Sequence, residues 1–214
     1  RETMARAGLA DRYTCIRDHS FRAVLPGPVD AVVCDHVGYF GFDYGIIATL
    51  GDARRRFLKP GGRVIPGRIR LMLAGVASQD CRTKAEAWAD AAIPAEFHWL
   101  RQYGVNAKHA HTFAPGEIAT QPVVLGTIDL RSDSPEVLSF KATLAATGDG
   151  VLDGLAGWFE CEIAEDVWMT NSPLAADRID RPQVFLPFDR PVEARGGEEV
   201  EVALSIRHEE GLIA

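Results

Sequence analysis

The chain has 214 residues, 47% of them hydrophobic and 25% charged, and carries a formal net charge of −7. That length holds one large domain or two small ones, and the composition is ordinary for a globular protein. Phosphate neutralisation needs a basic face, so this net charge argues against a general nucleic-acid binder. A basic partner such as an arginine-rich protein remains compatible, as does a simply solvated acidic surface. No apolar run approaches the ~18–20 residues that cross a bilayer, so no membrane association is expected. The charged start Arg1-Glu2-Thr3-Met4-Ala5-Arg6 is followed by no apolar block, unlike a signal peptide, and without an initiator Met it is expected to belong to a longer chain. Cys15, Cys34, Cys81 and Cys161 form no CxxC pair, which argues against a zinc or disulfide framework and for a reducing, cytoplasmic setting.

Along the chain, Glu2 to Leu9 reads as the end of a helix and Tyr13 to Arg17 as a short strand. Pro26-Gly27-Pro28 is a turn, and Val29-Asp30-Ala31-Val32-Val33-Cys34 has the continuous apolar character of a buried parallel strand. Ile46, Ile47, Leu50, Ala53 and Phe57 share one helical face, predicting a helix over 44–57 that Pro60-Gly61-Gly62 stops. Arg54, Arg55, Arg56 and Lys59 at its far end read as a solvated cluster complementing the helix dipole, or as an anion site. Beyond residue 62, Val64, Ile65, Ile69, Leu71 and Leu73 come in near alternation, predicting an extended segment over 63–77. Residues 83–103 read as helical or irregular. Strands are then predicted over 123–130, 137–144, 155–163, 183–188 and 199–206, with turns at Gly148-Asp149-Gly150 and Gly196-Gly197. An α/β part therefore gives way near residue 63 to a β sandwich or barrel.

His98, His109, His111 and Cys81 invite a metal reading, and His109-x-His111 on a strand is a bidentate pair in principle. No third or fourth ligand has fitting spacing, so no metal site is expected.

The run Asp30-Ala31-Val32-Val33-Cys34-Asp35-His36-Val37-Gly38-Tyr39-Phe40 resembles the strand and loop that carry the first glutamate of protein arginine methyltransferases. Phe57-Leu58-Lys59-Pro60-Gly61-Gly62-Arg63-Val64-Ile65-Pro66 is similar to that family's step into its barrel. In family order follow His98-Trp99 with Tyr103-Gly104 in the dimerisation-arm region, Gly157 to Ile163 as a barrel strand, the turn Thr170-Asn171-Ser172-Pro173, and Gly196-Gly197-Glu198-Glu199-Val200. The resemblance implies the C-terminal half of a Rossmann-like S-adenosylmethionine-binding domain over 1–62. An antiparallel β-barrel with a helical arm at about 83–112 would occupy 63–214. It also implies a homodimer, and that the family's glycine-rich loop and ribose-binding acid would lie before Arg1.

In that family two glutamates clamp the acceptor guanidinium through charge-assisted, fork-like hydrogen bonds, and the enzyme's main task is positioning. The first position falls on Asp35, one methylene shorter, and the second on Tyr44, with Asp43 just before it. Asp35 also reads as a strand-end or capping acid, Asp43 as the N-cap of the following helix, and Tyr39 either as the loop tyrosine bordering the active site or as a packing residue. His36 stands where the family has Trp, and is not expected to act catalytically. The family's Thr-His-Trp falls on Arg178-Ile179-Asp180. On the cofactor side, Phe21 beside Ser20 takes the place of the adenine-binding acid, and Ile46 that of a Met packed on the cofactor. The implied activity is methyl transfer from S-adenosyl-L-methionine to a basic or arginine-containing protein or a small cationic molecule. A non-catalytic dimeric interaction module is the alternative.

Overall fold

The computed structural model describes residues 1–207; residues 208–214, the end of the predicted barrel region, lie outside the described residues. Helix α1 (Glu2–Arg6) and the 3-10 turns Ala10–Arg12 and Ser20–Arg22 precede strand β1 (Val29–Val33). Residues 13–17 form no strand. Their β propensity is real, but Tyr13 and Ile16 are exposed and no neighbouring strand supplies a ladder.

β1 pairs in parallel with β2 (Leu58–Ile65), and α2 (Ile46–Phe57) makes the crossover that a parallel pair requires. The helix begins at Ile46 rather than Tyr44 because Gly45, at φ 72, turns left-handed at its N-cap. Ile46, Ile47 and Leu50 form the buried stripe that the spacing predicts. Helix passes directly into strand at Leu58, and Pro60-Gly61-Gly62, expected as the stop, lie inside β2. β1 is not the buried strand expected. Val33 is 72% exposed, because among the described residues β1 hydrogen-bonds only β2 and its other edge is open.

After Pro66-Gly67 the sheet becomes antiparallel. Strands β3 (Arg68–Val76), β4 (His109–His111), β5 (Val123–Asp129), β7 (Gly150–Ala164) and β9 (Gln183–Ala194) run in the order β4-β9-β7-β3-β5, with β8 (Val167–Thr170) on β7. β6 (Val137–Ala145) pairs with β10 (Glu199–Arg207) in a second antiparallel pair. Side chains of both sheets meet in one core: Ile69 and Leu71 of β3, Ile128 of β5, Leu144 of β6, Phe159 of β7 and Ile206 of β10. Each such burial contributes about 1.5–3 kcal/mol. Val37, Phe40, Ile46 and Leu50 belong to the same core, so the loop after β1 is packed directly on the antiparallel sheet.

Between β3 and β4 lie α3 (Gln79–Ala85), two 3-10 turns and α4 (Arg101–Val105). Cys81, Ala85 and Val105 bury against Phe113, Trp158 and Phe185. Arg82 Nη1 donates to the Phe188 carbonyl at 2.7 Å, and Arg101 reaches Asp189 Oδ1 at 2.8 Å, fastening this segment to β9. His109 bonds the Gly104 carbonyl at 2.7 Å and His111 faces Glu117 at 3.4 Å, so both serve local packing. No described helix is long and apolar enough to cross a membrane.

Candidate active site

The loop from Cys34 to Gly45 leaves the carboxyl end of β1, where open α/β sheets present ligand-binding groups. The Cys34 N–H still bonds the Ile65 carbonyl at 2.9 Å, and Val37 and Phe40 anchor the loop in the core. Gly38 has φ 62, and a Cβ there would stand 2.5 Å from Asp43 Cβ, so only glycine fits.

Asp43 fills the space that Gly38 leaves. Its side chain is 2% exposed, and Oδ2 accepts the N–H groups of Tyr39 (2.9 Å) and Phe40 (2.6 Å), while Oδ1 meets the Lys108 ammonium. The expected N-cap role does not occur, since Gly45 caps α2 with no side-chain bond. Asp43 instead turns back to close its own loop and tie it to Lys108, ahead of β4. Both of its oxygens are occupied by these donors.

Tyr39 and Tyr44 stand edge to face with ring centroids 6.0 Å apart, and Tyr44 is 42% exposed. Hydrogen bonding with the Tyr39 hydroxyl, then desolvation, holds the Tyr44 phenol above its ordinary pKa. Arg181 arrives from the segment before β9, and its Nη1 donates to the Gly38 carbonyl at 3.3 Å. Asp35 lies apart. Its side chain is 91% exposed, with the His36 ring 4.0 Å away. No hydrogen bond or ion pair joins it to Tyr39, Asp43 or Tyr44 among the described residues. Asp180 is exposed beside Arg181.

Of the cofactor-side residues, Ser20 and Phe21 lie on a 3-10 turn tied to α2 by Arg56, whose Nη2 donates to the Ser20 carbonyl at 2.7 Å. Phe21 is half-buried and stacks on His19 at 5.3 Å. Ile46 has 0% exposure and offers a cofactor no surface, because the first turn of α2 is sunk in the core. The arginine run stands in the last turn of α2, where its cations complement the helix dipole and form surface pairs, Arg54 with Asp133 and Arg56 with Asp52 at 2.6 Å, while Lys59 pairs with Asp30 at 2.6 Å. Cys34 and Cys161 are not activated nucleophiles, since desolvation raises Cys34 and pushes Cys161 up to about 12.

Four residues that sequence reasoning missed hold the loop in place: Lys108, Asn171, Arg181 and Gln183. Asn171 has no exposure; its Nδ2 donates to the carbonyls of Tyr39 (2.9 Å) and Pro182 (2.8 Å), and its Oδ1 accepts the Phe159 N–H at 3.0 Å. Gln183, equally buried, donates to the Asn171 carbonyl at 2.6 Å and accepts from the Phe113 N–H at 2.9 Å. Nothing in local spacing marks these amides, whose partners are remote in sequence. The loop thus carries a solvent-facing carboxylate set apart from two neighbouring phenols and an arginine. Among the described residues it lacks the paired carboxylates that would clamp a guanidinium.

No protein-family model matches the chain. Among curated proteins it is similar to an arginine N(omega)-methyltransferase of Streptomyces achromogenes subsp. streptozoticus, 26% identical over 181 residues, spanning 84% of this chain and 50% of that protein. It is also similar to protein arginine N-methyltransferase 1 of Schizosaccharomyces pombe, 22% identical over 209 residues, spanning 95% of this chain and 61% of that protein. The chain therefore spans between half and two thirds of these relatives' lengths. The Trypanosoma brucei PRMT1 enzyme-prozyme heterotetrameric complex with AdoHcy shares its fold with a TM-score of 0.83 at 18% identity, over 95% of this chain and 66% of that one. Arabidopsis thaliana protein arginine methyltransferase 10 gives a TM-score of 0.80 at 18% identity, over 95% and 68%.

Proposed function

We propose that this chain, a divergent relative of the protein arginine N-methyltransferases, forms the acceptor-facing part of an S-adenosylmethionine-dependent methyltransferase. The observation that carries this reading is the acid-x-x-Gly-Tyr loop at the end of parallel strand β1, closed by the buried Asp43 and packed on the antiparallel sheet. The chain divides in this reading into half of a cofactor domain over 1–62 and a β-barrel over 63–214 with an arm at about 83–112. The shared core of the two antiparallel sheets supports the barrel.

When bound, S-adenosyl-L-methionine supplies an activated methyl group on a sulfonium. The described residues fit that cofactor only in part. Phe21 and Ser20 are accessible to its adenine end, whereas Ile46 is not, and the glycine-rich cradle is assigned to the stretch of the relatives that this chain does not span. On the acceptor side, Asp35 is the loop's accessible carboxylate and receives a cationic group, from a basic or arginine-containing protein or a small molecule. Tyr39 and Tyr44 border the acceptor, and Asp180 lies on the neighbouring segment where the family carries its own substrate-side residues. The working protein is a cytoplasmic homodimer in this account. The relatives' names as methyltransferases weigh against a purely non-catalytic module.

Calorimetry of the full-length protein with S-adenosylhomocysteine, beside a transfer assay with labelled S-adenosylmethionine on arginine peptides and small cations, tests this. Saturable binding and transfer are expected; absence of both overturns the proposal.

A further inference from the structure

Six arginines of the described chain are at least half-buried: Arg54, Arg68, Arg70, Arg82, Arg101 and Arg181. Burying a guanidinium is costly unless an anion faces it. The first five each have a carboxylate within 4.0 Å, respectively Asp133, Glu162, Glu160, Glu86 and, for Arg101, both Glu86 and Asp189. Arg181 has none among the described residues. Of the five donors a guanidinium carries, one is used, in the 3.3 Å bond to the Gly38 carbonyl. That bond places it at the loop bearing the Tyr39–Tyr44 pair.

The other charges nearby do not supply the missing anion. Asp43 is enclosed and takes its donors from Tyr39, Phe40 and Lys108, although its charge still acts on the Tyr44 phenol. Asp35 faces solvent against His36, and Asp180, though adjacent in sequence, makes no ion pair with Arg181. What remains is a cation whose charge reaches the Tyr44 phenol, beside a bonded pair of hydroxyls with one O–H free to donate.

We propose that Arg181, with the free hydroxyl of the Tyr39–Tyr44 pair, binds an anionic oxygen of the acceptor, so that the acceptor is a small carboxylate- or phenolate-bearing molecule. The inference rests on the methyltransferase reading for the word acceptor, and on the geometry alone for the anion. Charge-assisted, fork-like recognition of a carboxylate is the chemistry for which arginine is suited. Arg181 also acts on Tyr44, its charge opposing the upward shift that Tyr39, desolvation and Asp43 impose on that phenol. An internal arginine side chain of a protein carries no anion beside its guanidinium, so the arrangement selects against such a substrate. Asp35 remains open to a cationic group on the same molecule.

Benzoate, 4-nitrophenolate and the neutral isostere benzamide serve as probes against the full-length protein carrying ring-labelled tyrosine, with the Tyr39 and Tyr44 resonances followed by NMR. Saturable shifts with benzoate are expected, with benzamide binding at least about tenfold more weakly. A response to nitrophenolate as strong as that to benzoate identifies a phenolate-type acceptor; a response to benzoate alone identifies a carboxylate. Arg181→Gln should erase the preference for the anion, and Arg181→Lys should keep part of it. If Arg181→Gln fails to fold, Tyr44→Phe, at a half-exposed position, should still weaken benzoate several-fold. Equal binding of benzoate and benzamide, no saturable shift with any probe, or a preference that survives Arg181→Gln overturns the inference. Binding of S-adenosylhomocysteine to the unmodified protein is measured separately. Its absence would count against the methyltransferase reading and leave the anion result standing.

Discussion

Asp35 and Asp43 look alike in the sequence, two acids at the ends of one loop, yet the structure gives them opposite surroundings. Asp43 satisfies two backbone N–H groups from inside the protein, so Asp43→Ala strands both donors and should cost about 3 kcal/mol. Little of that loss belongs to the ion pair, because Lys108 is half-exposed and solvent screens it. Denaturant titration checks this, and a double-mutant cycle with Lys108→Ala should return a coupling of less than about 1 kcal/mol. Asp35→Asn should do the reverse. At 91% exposure it leaves the melting temperature unchanged, while kcat/KM for a cationic acceptor falls by about 10²-fold, close to 3 kcal/mol of transition-state stabilisation. Unchanged turnover would make Asp35 a surface acid only. The motif around Asp35 was readable because it is local: an acid, two residues, then Gly-Tyr. The role of Asp43 was not, since it depends on Gly45 turning left-handed and on a lysine far along the chain.

The longer elements follow their patterns because periodicity and burial agree in them. The helical stripe of Ile46, Ile47 and Leu50 is buried as spaced, and the strands beginning at Val123, Val137, Gln183 and Glu199 start where alternation begins. β8 escaped because it is short and its pairing with β7 comes from a partner that no local pattern reveals, and the pairing of β4 with β9 was hidden for the same reason. Asn171 shows how such elements are secured, joining the carbonyls of Tyr39 and Pro182 to the Phe159 N–H of β7. Asn171→Leu should therefore destabilise by more than about 3 kcal/mol, three polar groups losing their partner, and hydrogen exchange should quicken first in the Tyr39–Asp43 loop. Protection in that loop equal to wild type would show that it stands without the amide. A second device lies just after β4, where Glu117 carries opposing influences. Desolvation raises its pKa, but the Ser78 hydroxyl, the Ala114 N–H and His111 outweigh it and leave the carboxyl below its ordinary 4.5. A depressed carboxyl adds stability that is present above its unfolded pKa and lost as pH falls through the lower folded value. Glu117→Gln should thus lower stability at neutral pH and flatten the acid limb of the melting-temperature curve below 4.5. An acid limb identical to wild type would contradict this.

At the scale of the molecule, the helical segment between β3 and β4 is rigidly held yet unevenly covered. Arg82 and Arg101 bind it to β9, and Cys81, Ala85 and Val105 bury its inner side. Outward it presents Trp88, Phe97, Trp99 and Tyr103, all of them exposed, with Trp99 and Tyr103 edge to face at 5.9 Å. Large aromatics exposed together are unusual on a lone surface and are enriched in interface cores, where two torsions fix a large contact area. The proposed homodimer places a second copy of this protein over them. Because these side chains contribute little to the core of their own chain, Trp99→Ala with Tyr103→Ala should leave the fold of each protomer intact while weakening self-association by two orders of magnitude or more, about 3 kcal/mol for the loss of two central aromatic anchors. Sedimentation of the full-length protein should show a dimer for wild type and a monomer for the double variant at the same concentration, with matching circular dichroism. A wild type that sediments as a monomer at high micromolar concentration removes the dimer from this account. A variant that stays dimeric moves the interface elsewhere and leaves the aromatic surface free for a different partner.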